Sequence, residues 1–162
     1  MKKANKSDEK KLLKTAQKRY VQDLAAARKG GDAAACFQVV TWLSSGAGCS
    51  PHFLPEDVRK AELDKWLRKG ANLGNADAQV MLGNLQSSAE AAIPWYRKAA
   101  SQGHGEGLCI LANAYFTGNG VERNFAEAAK CFRQVLDTGD NKCCDAATMR
   151  ATLALAEMHT SC

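Results

Sequence analysis

The chain has 162 residues and carries 22 Lys and Arg against 17 Asp and Glu, a net charge of +5; that is one domain or a few short repeats, long enough to bury a core. No run approaches the roughly 18 apolar residues that span a bilayer, and the charged start lacks an apolar stretch of about 7–15 residues behind it, so a soluble, cytoplasmic chain without a secretory signal is expected. Three prolines and abundant Ala point to an all-α fold.

Residues 1–30 hold ten Lys/Arg against three Asp/Glu, whereas residues 31–162 hold twelve against fourteen. The basic character therefore belongs to an N-terminal arm (Lys2, Lys3, Lys6, Lys10, Lys11, Lys14, Lys18, Arg19) and not to the body. Leu12, Leu13, Ala16, Tyr20, Leu24 and Ala27 recur at helical spacing, which predicts a helix that packs on, and caps, the first module of the body.

From residue 31 onward the glycines act as a ruler. Gly31, Gly74, Gly103 and Gly139 each stand eight residues before the pairs Val39-Val40, Leu82-Gly83, Leu111-Ala112 and Ala147-Thr148, and Trp66, Trp95 and Cys131 stand eight residues before the last three glycines. The intervals are 43, 29 and 36. The variation falls in one place: 20 residues separate Gly46 from Trp66, 13 separate Gly118 from Cys131, and 6 separate Ala89 from Trp95. Loops absorb such differences and packed helix faces do not. A period in the thirties with two amphipathic helices per unit predicts a helix-turn-helix solenoid, with repeats at about 31–74, 75–103 and 104–139 and a partial one at 140–162.

Each slot has a physical role. Small residues Ala35, Ala78 and Gly107 let the first helices approach closely, while Trp95-Tyr96 and Cys131-Phe132 fill the space between paired helices. Gly74, Gly103 and Gly139 suit left-handed C-caps, and Gly118 and Gly120 turn the corner of the third unit. In the second unit Ser87 and Glu90 suggest a capping box, with Pro94 then inside the helix; the alternative is a helix that begins near Pro94.

The stretch "LANAYFTGNGVERNFAEAAKCFRQVLDTG" resembles the Sel-one-like repeat, a relative of the tetratricopeptide repeat. Leu111, Tyr115, Gly118, Gly120, Val121, Ala128, Phe132 and Gly139 match its pattern, Gly107, Ala112 and Cys131 replace its Ala, Gly and Trp, and "AAIPWYRKAASQG" matches its second half. The resemblance implies an αα-superhelix, a solenoid of antiparallel helix pairs with a concave groove, acting as an adaptor between proteins. It also implies the inter-helix disulfides of a secreted branch, but Ala100 and Leu136 occupy slots those bridges need. With seven cysteines in the chain, reduced thiols are the expectation.

In tetratricopeptide-like arrays the first helix lines the groove. The register implied by that resemblance places Thr41, Asn84, Asn113 and Met149 on it, with Phe37, Val80, Cys109 and Asp145 one turn earlier, as the protein-binding ladder; Asn can offer a peptide both a donor and an acceptor.

No catalytic or metal set emerges. Cys143, Cys144, His159 and Cys162 lack ligand spacing, Cys49 with His52 supplies only two of four ligands, and nothing brings a base such as His104, read as solvent-facing, to Cys109. No cofactor motif occurs. The reading is a non-enzymatic helical-repeat scaffold for a protein or peptide partner, with the C-terminal helix face (Leu153, Leu155, Met158) expected to be covered either by a partner or, in self-association, by a second copy. Two alternatives stand beside it: nucleic-acid or anionic-surface binding through the Lys-rich arm, and a regulatory subunit of an enzyme complex.

Overall fold

A computed structural model describes residues 6–29, 32–44 and 55–138, with side chains from residue 18 onward. Gly31, Cys49, His52, Gly139, and the expected partial repeat at 140–162 with Asp145, Met149 and its self-association face lie outside the described residues. Seven helices and no strand occur among the described residues. The chain divides into two compact units, Met1–Asn75 and Ala76–Cys162.

In the first unit α1 (Lys6–Lys29) packs on α2 (Ala33–Ser44), and α2 on α3 (Glu56–Asn72). Tyr20 and Ala27, two turns apart on α1, are buried, as are Cys36, Val39, Val40 and Leu43 on α2 and Trp66, Leu67 and Ala71 on α3. Polar ties hold the three helices in register: the Trp42 indole N–H donates to Asp23 at 2.8 Å, and Lys69 Nζ donates to the Ala27 carbonyl at 2.7 Å. Lys69 also lies 5.0 Å from the centre of the Trp66 ring, whose indole N–H donates to Glu62, so one cation serves both a helix end and an aromatic face. Glu56 and Asp57 in the first turn of α3 complement its dipole.

In the second unit α4 (Ala76–Asn84) pairs with α5 (Ala89–Ser101), α6 (Gly105–Thr117) pairs with α7 (Phe125–Thr138), and α5 packs on α6. The shared core runs through Val80, Ile93, Tyr96, Ala99, Leu108, Ala112, Phe132 and Val135. Small residues permit this closeness. A Cβ on Gly107 would meet the Ala99 Cβ at 2.9 Å and the Ala100 nitrogen at 3.2 Å, and one on Gly83 would lie 2.5 Å from the Tyr96 ring.

Helix ends follow the glycine ruler. Gly74 and Gly103 have φ of +97° and +76°. Each closes a two-bond C-terminal lock, with Asn75 N–H donating to the Gly70 carbonyl and Gly74 N–H to Ala71, and with His104 N–H donating to Ala99 and Gly103 N–H to Ala100. At the corner of the third repeat Gly118 and Gly120 also take positive φ, and the Asn124 N–H ties the returning chain to the Tyr115 carbonyl at 2.8 Å. That corner nests against the start of α5: a Cβ on Gly120 would stand 2.6 Å from the Ala89 carbonyl carbon.

Several expectations are corrected. The cap of α5 is Ser88, not Ser87; its hydroxyl accepts from the Ala91 N–H, and the helix runs through an exposed Pro94. Pro94 does not start the helix, and the backbone carbonyl it deprives of a donor lies on the wet side, where water can replace the bond. Trp95 is only half-buried, with Lys98 Nζ 4.3 Å from its ring centre, and Tyr96 fills the inter-helix space instead. His104 is not a bare surface residue. Its Nδ1 accepts from the Gly107 N–H as the N-cap of α6, while Nε2 lies 3.1 Å from Asp77 on α4, which links the first helices of consecutive repeats. Within the second repeat, Gln102 Nε2 at the end of α5 donates to the buried Gln79 of α4 at 2.8 Å. Reduced thiols hold for Cys36 and Cys131, but Cys109 is disulfide-bonded, to a partner outside the described residues.

Candidate functional site

Of the expected ladder, the second unit brings two residues together. Asn84 ends α4 and Asn113 lies in the last turns of α6; both are exposed, and both line one surface depression of about 370 Å³. Tyr96 and Ile93 of α5 and Ile110 of α6 form its apolar floor, and Ser88, Thr117 and Asn119 stand around it. In the first unit Phe37 and Thr41 are half-buried on α2, with the Thr41 hydroxyl donating back to the Gln38 carbonyl and accepting from the Gln38 amide.

Val80 and Cys109 are not on this surface. They are 2% and 1% exposed and belong to the core. The positions that share the accessible face with Asn84 and Asn113 are Met81 and Ile110, three residues back and not four. On a helix of 3.6 residues per turn, the residues three and four back flank a given side chain on opposite sides. The side toward the paired helix is dry, so the residue four back is buried. Had burial been assigned from the small-residue face (Ala78, Gly107) instead of from the Asn alone, Ile110 would have been found.

The geometry fixes what each amide can offer. Tyr96 Oη lies 2.8 Å from Asn84 Oδ1. Burial, and secondarily the Glu106 carboxylate, hold the Tyr96 hydroxyl above its ordinary range, so it is a neutral O–H that donates to Asn84. With its oxygen engaged, Asn84 presents amide N–H donors. The Asn113 side-chain amide makes no hydrogen bond among the described residues, and so keeps donor and acceptor available; only its backbone carbonyl is used, by the Thr117 hydroxyl at 2.8 Å.

Neither reduced thiol is primed for chemistry. Burial raises Cys131, with Glu127 adding to the effect, and burial likewise raises Cys36; both stay protonated at neutral pH. No helix among the described residues is long and apolar enough to cross a membrane.

Comparison with known proteins agrees with this architecture. The Sel1 repeat model matches residues 65–75, 76–104 and 105–135, so its repeat boundary falls between α5 and α6, at His104. The fold is shared with a Sel1 repeat protein from Oxalobacter formigenes at a TM-score of 0.68 and 23% identity, covering 82% of this chain and 98% of that one. A protective antigen present in uropathogenic Escherichia coli strains, displaying an SLR fold, superposes at a TM-score of 0.61 and 25% identity over 74% of this chain, which corresponds to 26% of the antigen's length. Residues 65–135 match consecutive Sel1 repeats, the described helices form the antiparallel pairs of an all-α helical-repeat fold, and these likenesses together support a Sel1-like repeat protein.

Proposed function

We propose that this protein is an adaptor that holds a segment of a partner protein against the first-helix face of its repeats, with Asn84 and Asn113 as the polar contacts. Sel1 repeat proteins are generally non-catalytic scaffolds for protein interaction, and the observation that carries the reading here is the depression those two amides share. A packed helical seam supplies rigidity, and the exposed amides supply hydrogen bonds without moving the backbone, which is the division of labour a preorganised peptide site needs. Thr41 and Phe37 are assigned to the same role in the first unit.

The test is a two-arm capture experiment. Asn84→Ala/Asn113→Ala, two truncations at exposed positions whose one loss inside the fold is the Tyr96–Asn84 hydrogen bond, should reduce recovery of a co-purifying partner by about tenfold or more, which corresponds to about 1.4 kcal/mol or more of binding energy. Unchanged recovery eliminates this face as the binding site. Deletion of residues 1–14 should leave that recovery intact; if the deletion abolishes it, the basic arm is the binding element.

A further inference from the structure

The chemistry around the depression specifies more than its place in the fold. Although 24% of the chain is Asp, Glu, Lys or Arg, no such residue among those described lines this site, whose rim and floor present amides, hydroxyls and apolar groups. Two other surface cavities differ: one is edged by Arg97 and Asp137, the other by Arg97, Glu122, Arg123 and Glu127. Glu106, which acts on the Tyr96 hydroxyl, stands outside this lining; the uncharged lining offers no contacting counter-ion to a charged side chain that loses its water there, so it selects against charge. At the same time Asn84 supplies N–H donors and Asn113 a donor with an acceptor, which match the carbonyl and the N–H of a peptide group.

Resting on the adaptor reading above, we infer that the occupant is an extended polypeptide segment that is uncharged where it crosses the depression and is read through its backbone by Asn84 and Asn113. The carbonyl of one ligand residue accepts from Asn84, and the N–H and carbonyl of a neighbouring residue pair with Asn113. The ligand side chain between them rests on Ile93, Ile110 and Tyr96. A depression of about 370 Å³ is of the size of one or two such residues. Tyr96 is the positioning residue, because its hydroxyl fixes which end of the Asn84 amide faces outward.

The test is a selection from a random peptide library displayed on phage, using the full chain as bait and Asn84→Ala/Asn113→Ala, checked for unchanged circular dichroism, as counter-selection. The surviving peptides are expected to lack Asp, Glu, Lys and Arg at their shared central positions. Their affinity should change by less than about twofold between about 50 mM and about 500 mM NaCl, since screening has no opposite charges to weaken. Placing Asp or Lys at the centre of a surviving peptide should lower affinity by at least about tenfold. Tyr96→Phe should weaken the same peptides by about threefold to tenfold with the salt response still flat. Central charged residues in the survivors, with affinity that falls steeply with salt, would overturn the uncharged occupant while leaving the adaptor reading standing. Peptides that bind the double variant equally well, or a library that yields none, would overturn both.

Discussion

Gly83→Ala tests whether packing or local propensity governs the first helix of the second repeat. Helix propensity alone favours Ala over Gly by about 1 kcal/mol. The structure opposes it: the added Cβ would lie 2.5 Å from Tyr96 Cε1 and 3.0 Å from its Cδ1 and Cζ. An ordinary carbon contact needs about 3.5–4.0 Å, so the ring must retreat by about 1 Å. Tyr96 is 9% exposed and wedged in the core, and its hydroxyl is tied to Asn84 at 2.8 Å. Overpacking of this kind costs about 1–3 kcal/mol, and the strained hydrogen bond a further 0.5–1.5 or so. After subtracting the propensity gain, a net loss of about 0.5–3.5 kcal/mol is expected. Urea unfolding followed by circular dichroism measures it. A double-mutant cycle with Tyr96→Leu, which removes the ring, isolates the contact and should recover at least about 1 kcal/mol as coupling. If Gly83→Ala is stabilising by itself, or shows no coupling to position 96, the close approach of α4 and α5 is not what selects glycine there.

Phe132→Ala should be the more damaging change, because Phe132 is 1% exposed at the centre of the α6–α7 pair; about 3–5 kcal/mol should be lost in urea unfolding, and a loss under about 1 would refute that packing. Gly103→Ala meets no atom within 4 Å but must hold φ near +76°, so about 1 kcal/mol is expected from conformation alone, with Gly103→Asn milder than Gly103→Ala in the same assay. Glu62 titrates below its ordinary range, through its hydrogen bond with Lys65 and then that with Trp66, against an opposing burial effect. Its contribution is therefore complete above the usual glutamate value and disappears as pH falls through the lowered one. Glu62→Gln should accordingly flatten the acid limb of a stability–pH profile, and an unaltered limb would show that Glu62 is not a source of it.

Much of the architecture was legible because glycine carries so specific a conformational signal. Gly74, Gly103, Gly118 and Gly120 all adopt the left-handed backbone that their spacing implies, and the small residues Ala78 and Gly107 are buried where helices meet. The site was half legible. Asn84 and Asn113 meet at one depression, yet Val80 and Cys109, expected beside them, lie in the core. A helical turn of 3.6 residues leaves two candidate neighbours for every surface side chain, and only the direction of the partner helix decides between them. The same limit explains Ser88: two adjacent serines are equally good caps by composition, and the entry path of the chain chooses. His104 was hidden for another reason, because its partner Asp77 lies a whole repeat away and no local pattern connects them. Cys109 lacked a signal too, since its bridge joins it to a cysteine outside the described residues and no local pattern marks the pair.

The nesting of Gly120 against Ala89 bears on where this protein can tolerate change. Surface turns are ordinarily the cheapest places to lengthen a chain, and residues 85–88 are a surface turn. Here the seven residues that distinguish the second repeat from the third would have to be threaded through space that the neighbouring corner already fills, beside the mouth of the amide pair. An affinity tag or a reporter inserted there should unseat both corners at once. The shortest repeat is thus also the one whose outline its neighbour has frozen.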